Sequence, residues 1–552
     1  MRSVMMAPRR LQVMTDPKTE SPPSAWAPLR QPLFRALWIA TLVSNIGTWV
    51  HEVGAGWLMV TLNPNPLMVS LVQAATALPI FLLALPGGAL ADILDRRRYL
   101  IYTQVWMLMV VLVLAITTAM GWMNAWGLLA FSFALACGAA LNTPAWAATV
   151  HEIVPRGQLQ AAIALNSLGI NLARAVGPAL AGVIVAASGP QAAFMLNAFS
   201  FIGVIVVLVR WPRQPSPSTL PAERFSGALR AGVRYVREAT ALQYVMGRAA
   251  GFFVFSSATW SLLPLVAQNT GGGAGTYGLL LAGIGAGAVS AALFMPALRR
   301  RCSRDVLVCG ATVVYAAGTA AVALAGNLFL LLPGVLACGA AWLALLSTLH
   351  VSAQTAVPQW VRARALSVYL MVYAAAMTGG AVLWGALAAR GGVPQALLLS
   401  AAGALLAMLL TRRLTLGGED GLASSAPAAL MRSSGHAEIA LERGPVAVHV
   451  EYRIAPEDAG AFVAVAQGMQ RIRRRDGALS WGLFEDPDAA GRYIETFVVE
   501  SWAEHMRQHH RGTAGDAPLF ERVRAFHRGE GPPRVTHWIA VNANDETGGE
   551  IV

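Results

Sequence analysis

Charge is scarce in this sequence: Asp, Glu, Lys and Arg make up 13% of its 552 residues, about half the share usual in a soluble domain. That shortage excludes an ordinary soluble enzyme for most of the chain. Cysteine is scarce too. Its four copies (Cys137, Cys302, Cys309 and Cys338) lie in or beside apolar runs without close metal-ligand spacing. They read as unpaired, mostly buried thiols, not as a disulfide framework or a zinc site. No Walker-type phosphate loop is present, so ATP is not the expected energy source. Residues 1–33 hold Pro, Ser and scattered charge but no apolar core. They read as a disordered tail without a visible cleavable signal peptide.

What the chain has in abundance is apolar side chains, at 56%. They fall in runs of about 20 residues, the length a helix needs to cross a hydrocarbon core about 30 Å thick. Apolar runs and turn residues predict twelve spans, at about 35–61, 67–91, 99–120, 125–148, 160–187, 191–210, 244–268, 276–298, 305–325, 328–351, 364–389 and 393–412. The loops alternate in charge. One set holds Asp95 with Arg96, Arg97 and Arg98, then Arg156, a long link with five Arg, the cluster Arg299, Arg300, Arg301 and Arg304, and finally Arg362 and Arg364. The other set is nearly free of cations apart from Arg390. Because cationic loops stay in the cytoplasm, the basic set and both termini are expected inside. The formal charge of +12 therefore points to the anionic inner leaflet of a lipid bilayer, not to nucleic acid.

The link over 212–242 divides the spans into bundles over 34–211 and 243–414. It opens as a Pro/Ser linker and closes with Phe225, Leu229, Val233 and Val236 on one helical face, which predicts an amphipathic helix lying on the membrane. "HEIVPRGQLQAAIALN" after the fourth span has a weaker echo in "AQTAVPQWVRARALSVY" after the tenth. Two related halves suit a machine that rocks around a central site.

Between the second and third spans stands "GGALADILDRRRYL", with Gly88 for close packing, Asp92 at the helix end, and Asp95, Arg96, Arg97 and Arg98 in the loop. A carboxylate within reach of Arg can form a charge latch that breaks as the halves move. The same cluster could instead serve only to fix topology. The motif resembles the loop signature of the major facilitator superfamily, with Ile93 and Asp95 as departures. With "SNIGTWVHEVGAGWLMV" and residues 142–185, it is most similar to the enterobactin-exporter-like, or transmembrane secretion effector, branch. The resemblance implies an all-α polytopic membrane protein of twelve transmembrane helices in two six-helix halves. In the fifth span Ala173, Gly177, Pro178, Ala181 and Gly182 resemble the superfamily's antiporter signature, which implies export. Small residues there allow close helix approach and Pro178 bends the helix.

Polar groups inside a membrane are costly and mark candidate sites. Asn45, His51 and Glu52 in the first span and Asn166, Asn171 and Arg174 in the fifth are candidates for substrate binding and proton coupling. Glu52 is the candidate proton carrier. Arg174 is the candidate partner of an anionic substrate or of Glu52; a structural ion pair is the plainer alternative. Arg248 reads as an interface anchor, and Trp38, Trp57, Trp122, Trp126 and Trp211 as an aromatic belt.

Beyond a linker over 415–444, periodicity changes. Residues 445–541 read β-α-β-β-α-β, a ferredoxin-like α+β layout, ahead of a tail over 542–552. This segment resembles the dimeric α/β-barrel domains of antibiotic-biosynthesis-monooxygenase type, which implies a homodimer. His505 and His509 share a helix face, but without a third ligand they predict no metal site. No catalytic residues and no cofactor are expected. The sequence therefore predicts a proton-coupled exporter of a siderophore- or drug-like small molecule in a bacterial inner membrane. A membrane-anchored enzyme or a ligand sensor acting through the C-terminal domain is the alternative.

Overall fold

The computed structural model describes residues 25–212, 235–358, 361–417, 443–508 and 516–541. Among these are 12 helices long and apolar enough to cross a membrane. In the first half they are α1 (Pro32–Leu62), α2 (Pro66–Ile93), α3 (Arg96–Ala119), α4 (Ala125–Ile153), α5 (Leu159–Ser188) and α6 (Pro190–Arg210). In the second they are α7 (Thr240–Asn269), α8 (Ala274–Arg301), α9 (Arg304–Leu324), α10 (Leu328–Thr355), α11 (Arg362–Gly391) and α12 (Val393–Thr411). The protein is an integral membrane protein with the helix count that the apolar runs implied. The amphipathic helix expected across 225–236 lies largely outside the described residues.

Local chemistry sets where these helices begin. Asn65, Asn124 and Asn327 accept hydrogen bonds from the backbone N–H of Leu67, Gly127 and Leu330, capping α2, α4 and α10. Asp95 caps α3 and Ser303 caps α9 in the same way, through Arg98 and Val306. Each cap satisfies an N–H that has no partner inside the helix.

The halves meet chiefly where α2 packs on α11 and α5 on α8. Glycine makes both contacts close. A Cβ on Gly278 would stand 2.6 Å from the Pro178 carbonyl oxygen, and one on Gly385 would collide with Ser70. The apolar core is not uniform along the bundle. At the end carrying the Arg-poor loops, a single cluster draws on both halves, from Val53, Met59 and Ala181 to Leu262, Leu280 and Trp384. At the Arg-rich end the clusters are separate: one belongs to the second half, joined by Ala77 of α2 and by Tyr235 and Val236 of the link, and two belong to the first half.

The C-terminal unit comprises β1 (Val446–Arg453), α13 (Ala459–Asp476), β2 (Ser480–Glu485), β3 (Arg492–Val499), α14 (Trp502–Gln508), α15 (Ala517–Ala525) and β4 (Arg534–Ile539). Alternation along β1 buries Val446, Val448, Val450 and Tyr452 against Phe462, Ala466 and Met469 of α13. The four strands pair antiparallel in the order β2-β3-β1-β4. This corrects the resemblance to an antibiotic-biosynthesis-monooxygenase-type α/β barrel: the sheet is open, with β2 and β4 as its edges. Four strands about 4.8 Å apart would give a ring roughly 20 Å around, too tight to hold interior side chains. α15 is an element that the sequence reading did not anticipate.

Beneath this sheet lies a buried charge network. Glu495, 2% exposed, accepts from Arg473 Nε at 2.9 Å and Nη2 at 3.2 Å, from Trp481 Nε1 at 3.0 Å and from the Tyr452 hydroxyl at 3.2 Å. The Arg473 guanidinium also sits 4.4 Å from the Phe497 ring centroid.

Candidate functional site

A cavity of about 270 Å³ lies between the two halves, just inside the shared core. Helical periodicity places its lining. On α2, Val69, Val72, Gln73 and Thr76 recur at the spacing of one face, as do Glu52, Ala55 and Gly56 on α1. Arg174 enters from α5 and Ser132 from α4. The second half contributes Trp260, Ser261 and Pro264 of α7, Tyr277 of α8, Trp342 of α10, and Tyr373 and Met377 of α11.

The two walls differ in chemistry. The first-half wall holds both charges. Glu52 and Arg174 act on each other electrostatically, and both act on the Tyr373 phenol. Among the described residues no hydrogen bond or ion pair joins either charge to a partner. The guanidinium carbon of Arg174 lies 6.0 Å from the centroid of the Trp49 ring. The second-half wall is a packed aromatic cluster. Trp342 lies 5.1 Å from Trp260 and 5.3 Å from Phe253, and Phe253 lies 4.7 Å from Tyr373, all in tilted or edge-to-face contact. Behind them the Tyr315 hydroxyl donates to the Ser256 carbonyl at 3.0 Å. Such packing fixes the rings in advance of any ligand.

Of the candidate residues, the structure brings His51, Glu52 and Arg174 together at the cavity. Asn45, Asn166 and Asn171 do not line it, and the Asn171 side chain donates to the Ser167 carbonyl on its own helix at 2.8 Å. Sequence reasoning missed the aromatic wall. The available signal was the position of Trp260, Trp342 and Tyr373, which stand away from the span ends where belt aromatics occur; Tyr277, in the first turn of α8, offered none.

The loop between α2 and α3 makes contacts within one half. Arg96 pairs with Glu152 at the end of α4. Arg97 donates to the Leu208 carbonyl at 2.9 Å and to the Val209 carbonyl, meeting the negative end of α6. Asp95 is the helix cap, and a Cβ on Gly88 would meet nothing within 4 Å. The side chain of Asp92 lies outside the described residues. In α5, Ala173, Gly177, Pro178, Ala181 and Gly182 are all buried. Gly177 faces Trp49 of α1, whereas Gly182 faces Gly275 and Gly278 of α8.

Two expectations are corrected. Arg248 is 4% exposed and paired with the half-buried Asp305 in the first turn of α9, so it is a buried cation held by an ion pair and not an interface anchor. Trp211, expected in the aromatic belt, is buried beside Leu37 and Tyr99.

The sequence model of the transmembrane secretion effector family matches residues 23–545, taking in both bundles and the C-terminal unit. The chain belongs to that family. Among curated relatives, it is 28% identical over 192 residues to an uncharacterised MFS-type transporter, YfiS, of Bacillus subtilis, covering 34% of this chain and 45% of that protein. It is 25% identical over 262 residues to the enterobactin exporter EntS of Salmonella choleraesuis, covering 48% of this chain and 63% of that one. The chain thus spans 45% and 63% of the length of these two relatives. Its fold is similar to a bacterial homologue of the lysosomal transporter Spinster in an inward-facing, occupied conformation, with a TM-score of 0.55, 15% identity, and coverage of 70% and 98%. The family and the fold together are those of major facilitator transporters. Among the described residues, no group of three His, Cys, Asp or Glu side chains could hold a metal.

Proposed function

We propose that this protein is a secondary active transporter that exports a small molecule by alternating access, with Glu52 carrying the coupling proton. One observation carries the reading: the cavity is bounded by both halves and holds Glu52 and Arg174 without an ion pair between them. A carboxylate and a guanidinium left unpaired where a proton or a cargo can reach them suit a site that uses them in turn. The shared core at one end and the separate cores at the other support an inward-facing state. Cytoplasmic termini follow from the basic loops. Membership of this family, and a relative named as an enterobactin exporter, favour a siderophore- or drug-like cargo. An anionic part of that cargo would sit at Arg174 and an aromatic part against Trp260 and Trp342.

The cytoplasmic loop is the gate in this scheme, with Arg96 and Glu152 as its ion pair. The C-terminal unit is read as ferredoxin-like, supported by its strand order, and as structural or regulatory. A homodimer through it is supported by Phe484 and Trp538, which are exposed on its strands; light scattering of the detergent-solubilised protein tests this.

Inverted vesicles carrying the full chain should accumulate cargo when acidified inside, and Glu52→Gln should abolish that flux. Full flux in Glu52→Gln would sink the assignment. Accumulation that persists in a chain ending at Leu416 would separate transport from any activity of the C-terminal unit.

A further inference from the structure

The cavity wall holds two polar groups that the coupling scheme leaves unused. His51 is 4% exposed and Ser132 is 1% exposed, yet both line the cavity, from α1 and α4. His51 Nδ1 and Ser132 Oγ are buried without a hydrogen-bond partner. His51 packs instead against the Phe194 ring, at 4.9 Å between centroids. Serine hydroxyls in these helices ordinarily satisfy themselves. Ser70 donates to the Pro66 carbonyl at 2.8 Å and Ser257 to the Val254 carbonyl at 2.7 Å. Ser132 makes no such bond, although backbone carbonyls of its own helix are within a turn of it. Two unsatisfied groups on side chains of one cavity wall form a place for a ligand atom once those side chains turn towards it.

We propose that His51 and Ser132 form a hydrogen-bonding subsite that recognises a neutral hydroxyl or carbonyl group of the transported molecule. The proposal rests on the reading of this cavity as the transport site. A neutral imidazole and a hydroxyl can each donate or accept, so the pair suits a neutral polar group of either sense. Charged groups of a cargo have Arg174 and Glu52 as stronger attractions in the same cavity. The subsite therefore discriminates among cargoes that share a charge and a ring but differ in their hydroxyl or carbonyl pattern. A site built to hydrogen-bond a hydroxyl rejects the analogue that lacks it, because its buried groups are then left unpaired.

The test uses the full chain in lipid nanodiscs, with benzoate and 2-, 3- and 4-hydroxybenzoate as probes. Binding is read from quenching of tryptophan fluorescence, since Trp49, Trp260 and Trp342 line the cavity. At least one hydroxybenzoate should bind about tenfold more tightly than benzoate, the worth of one such hydrogen bond. His51→Phe and Ser132→Ala should each bring that isomer down to the benzoate level and leave benzoate itself unchanged. If His51→Phe also loses benzoate, Ser132→Ala decides, because it removes a single atom. Unaltered discrimination in Ser132→Ala, or wild-type protein that prefers no hydroxybenzoate, would overturn the proposal. Failure of the transport reading looks different: no proton-driven flux in wild-type vesicles, whatever the probes do.

Discussion

The C-terminal unit and the membrane cavity treat their charges in opposite ways. In the C-terminal unit, Arg473 and Glu495 are bound directly to each other, and Trp481 and Tyr452 occupy the remaining acceptor positions of the carboxylate. In the membrane cavity, Glu52 and Arg174 feel each other's field but share no hydrogen bond. A satisfied pair holds a fold in one arrangement; removing one partner strands the other in a poor solvent. An unsatisfied pair is an unspent interaction, available to whatever enters. The ion pair of Arg248 and Asp305 belongs to the first kind although it lies in the membrane half. Lying in the membrane half is thus not what leaves a charge unpaired.

Four experiments break or sharpen this contrast. The largest effect is expected at Glu52, where Gln should eliminate proton-driven flux while the thermal unfolding midpoint stays within a degree or two of wild type. A large loss of stability there would place the residue with the structural pairs. Next comes Arg473→Ala, which leaves Glu495 buried and uncompensated and should destabilise the C-terminal unit by about 3–5 kcal/mol. Hydrogen exchange of β3 peptides in the full chain measures it, and protection equal to wild type would contradict the network's role.

A third experiment addresses the contact between the halves. Gly278→Val places side-chain atoms against the Pro178 carbonyl and Gly182, a backbone-to-backbone contact that cannot yield as a flexible side chain would. Overpacking of this kind costs about 1–3 kcal/mol. It should shift the population away from the state with a joined outer core, raising the reactivity of a cysteine placed at Ala181 towards an impermeant thiol reagent. Unchanged reactivity would show that this contact is not a gate.

The smallest effect concerns pH. Burial alone would push the Glu495 carboxyl up, but the Arg473 guanidinium and the hydrogen bonds from Trp481 and Tyr452 outweigh it and hold the group below its ordinary value of 4.5. A depressed carboxylate contributes its full stability above the unfolded value and loses it as pH falls through the folded one. Protection of β3, corrected for intrinsic exchange rates, should therefore be flat from pH 8 to 5 and erode only below about 4.5. Erosion beginning near pH 6 would implicate a histidine instead.

The parts of this protein legible from sequence are those governed by local rules. Run length and loop charge gave twelve helices, because a membrane forces each span to satisfy its own backbone. Caps such as Asn65, Asn124 and Ser303 lie where the turn residues place them. Alternation in "VAVHVEYR" gave β1, since only one face of that strand meets a helix. Glu52, His51 and Arg174 stood out as polar residues in apolar spans, and all three line the cavity. The same signal also raised Asn45, Asn166 and Asn171, which do not, because polarity says nothing about which way a helix face turns.

Other features waited on tertiary structure. Arg248 is a core residue only because Asp305, 57 positions away, arrives beside it. The aromatic wall exists because α7, α8, α10 and α11 converge on one point. Trp342 and Tyr373 stand mid-span in the sequence, but nothing local says that their rings meet at one cavity. The open sheet is likewise a matter of how few strands there are to close. Sequence by itself determined the spans, with ends good to about a turn, and the alternation of charge between loops, since each depends on neighbours within a turn or two. Which charges are satisfied and which are left unpaired depends on distances between helices, and only the folded bundle decides those.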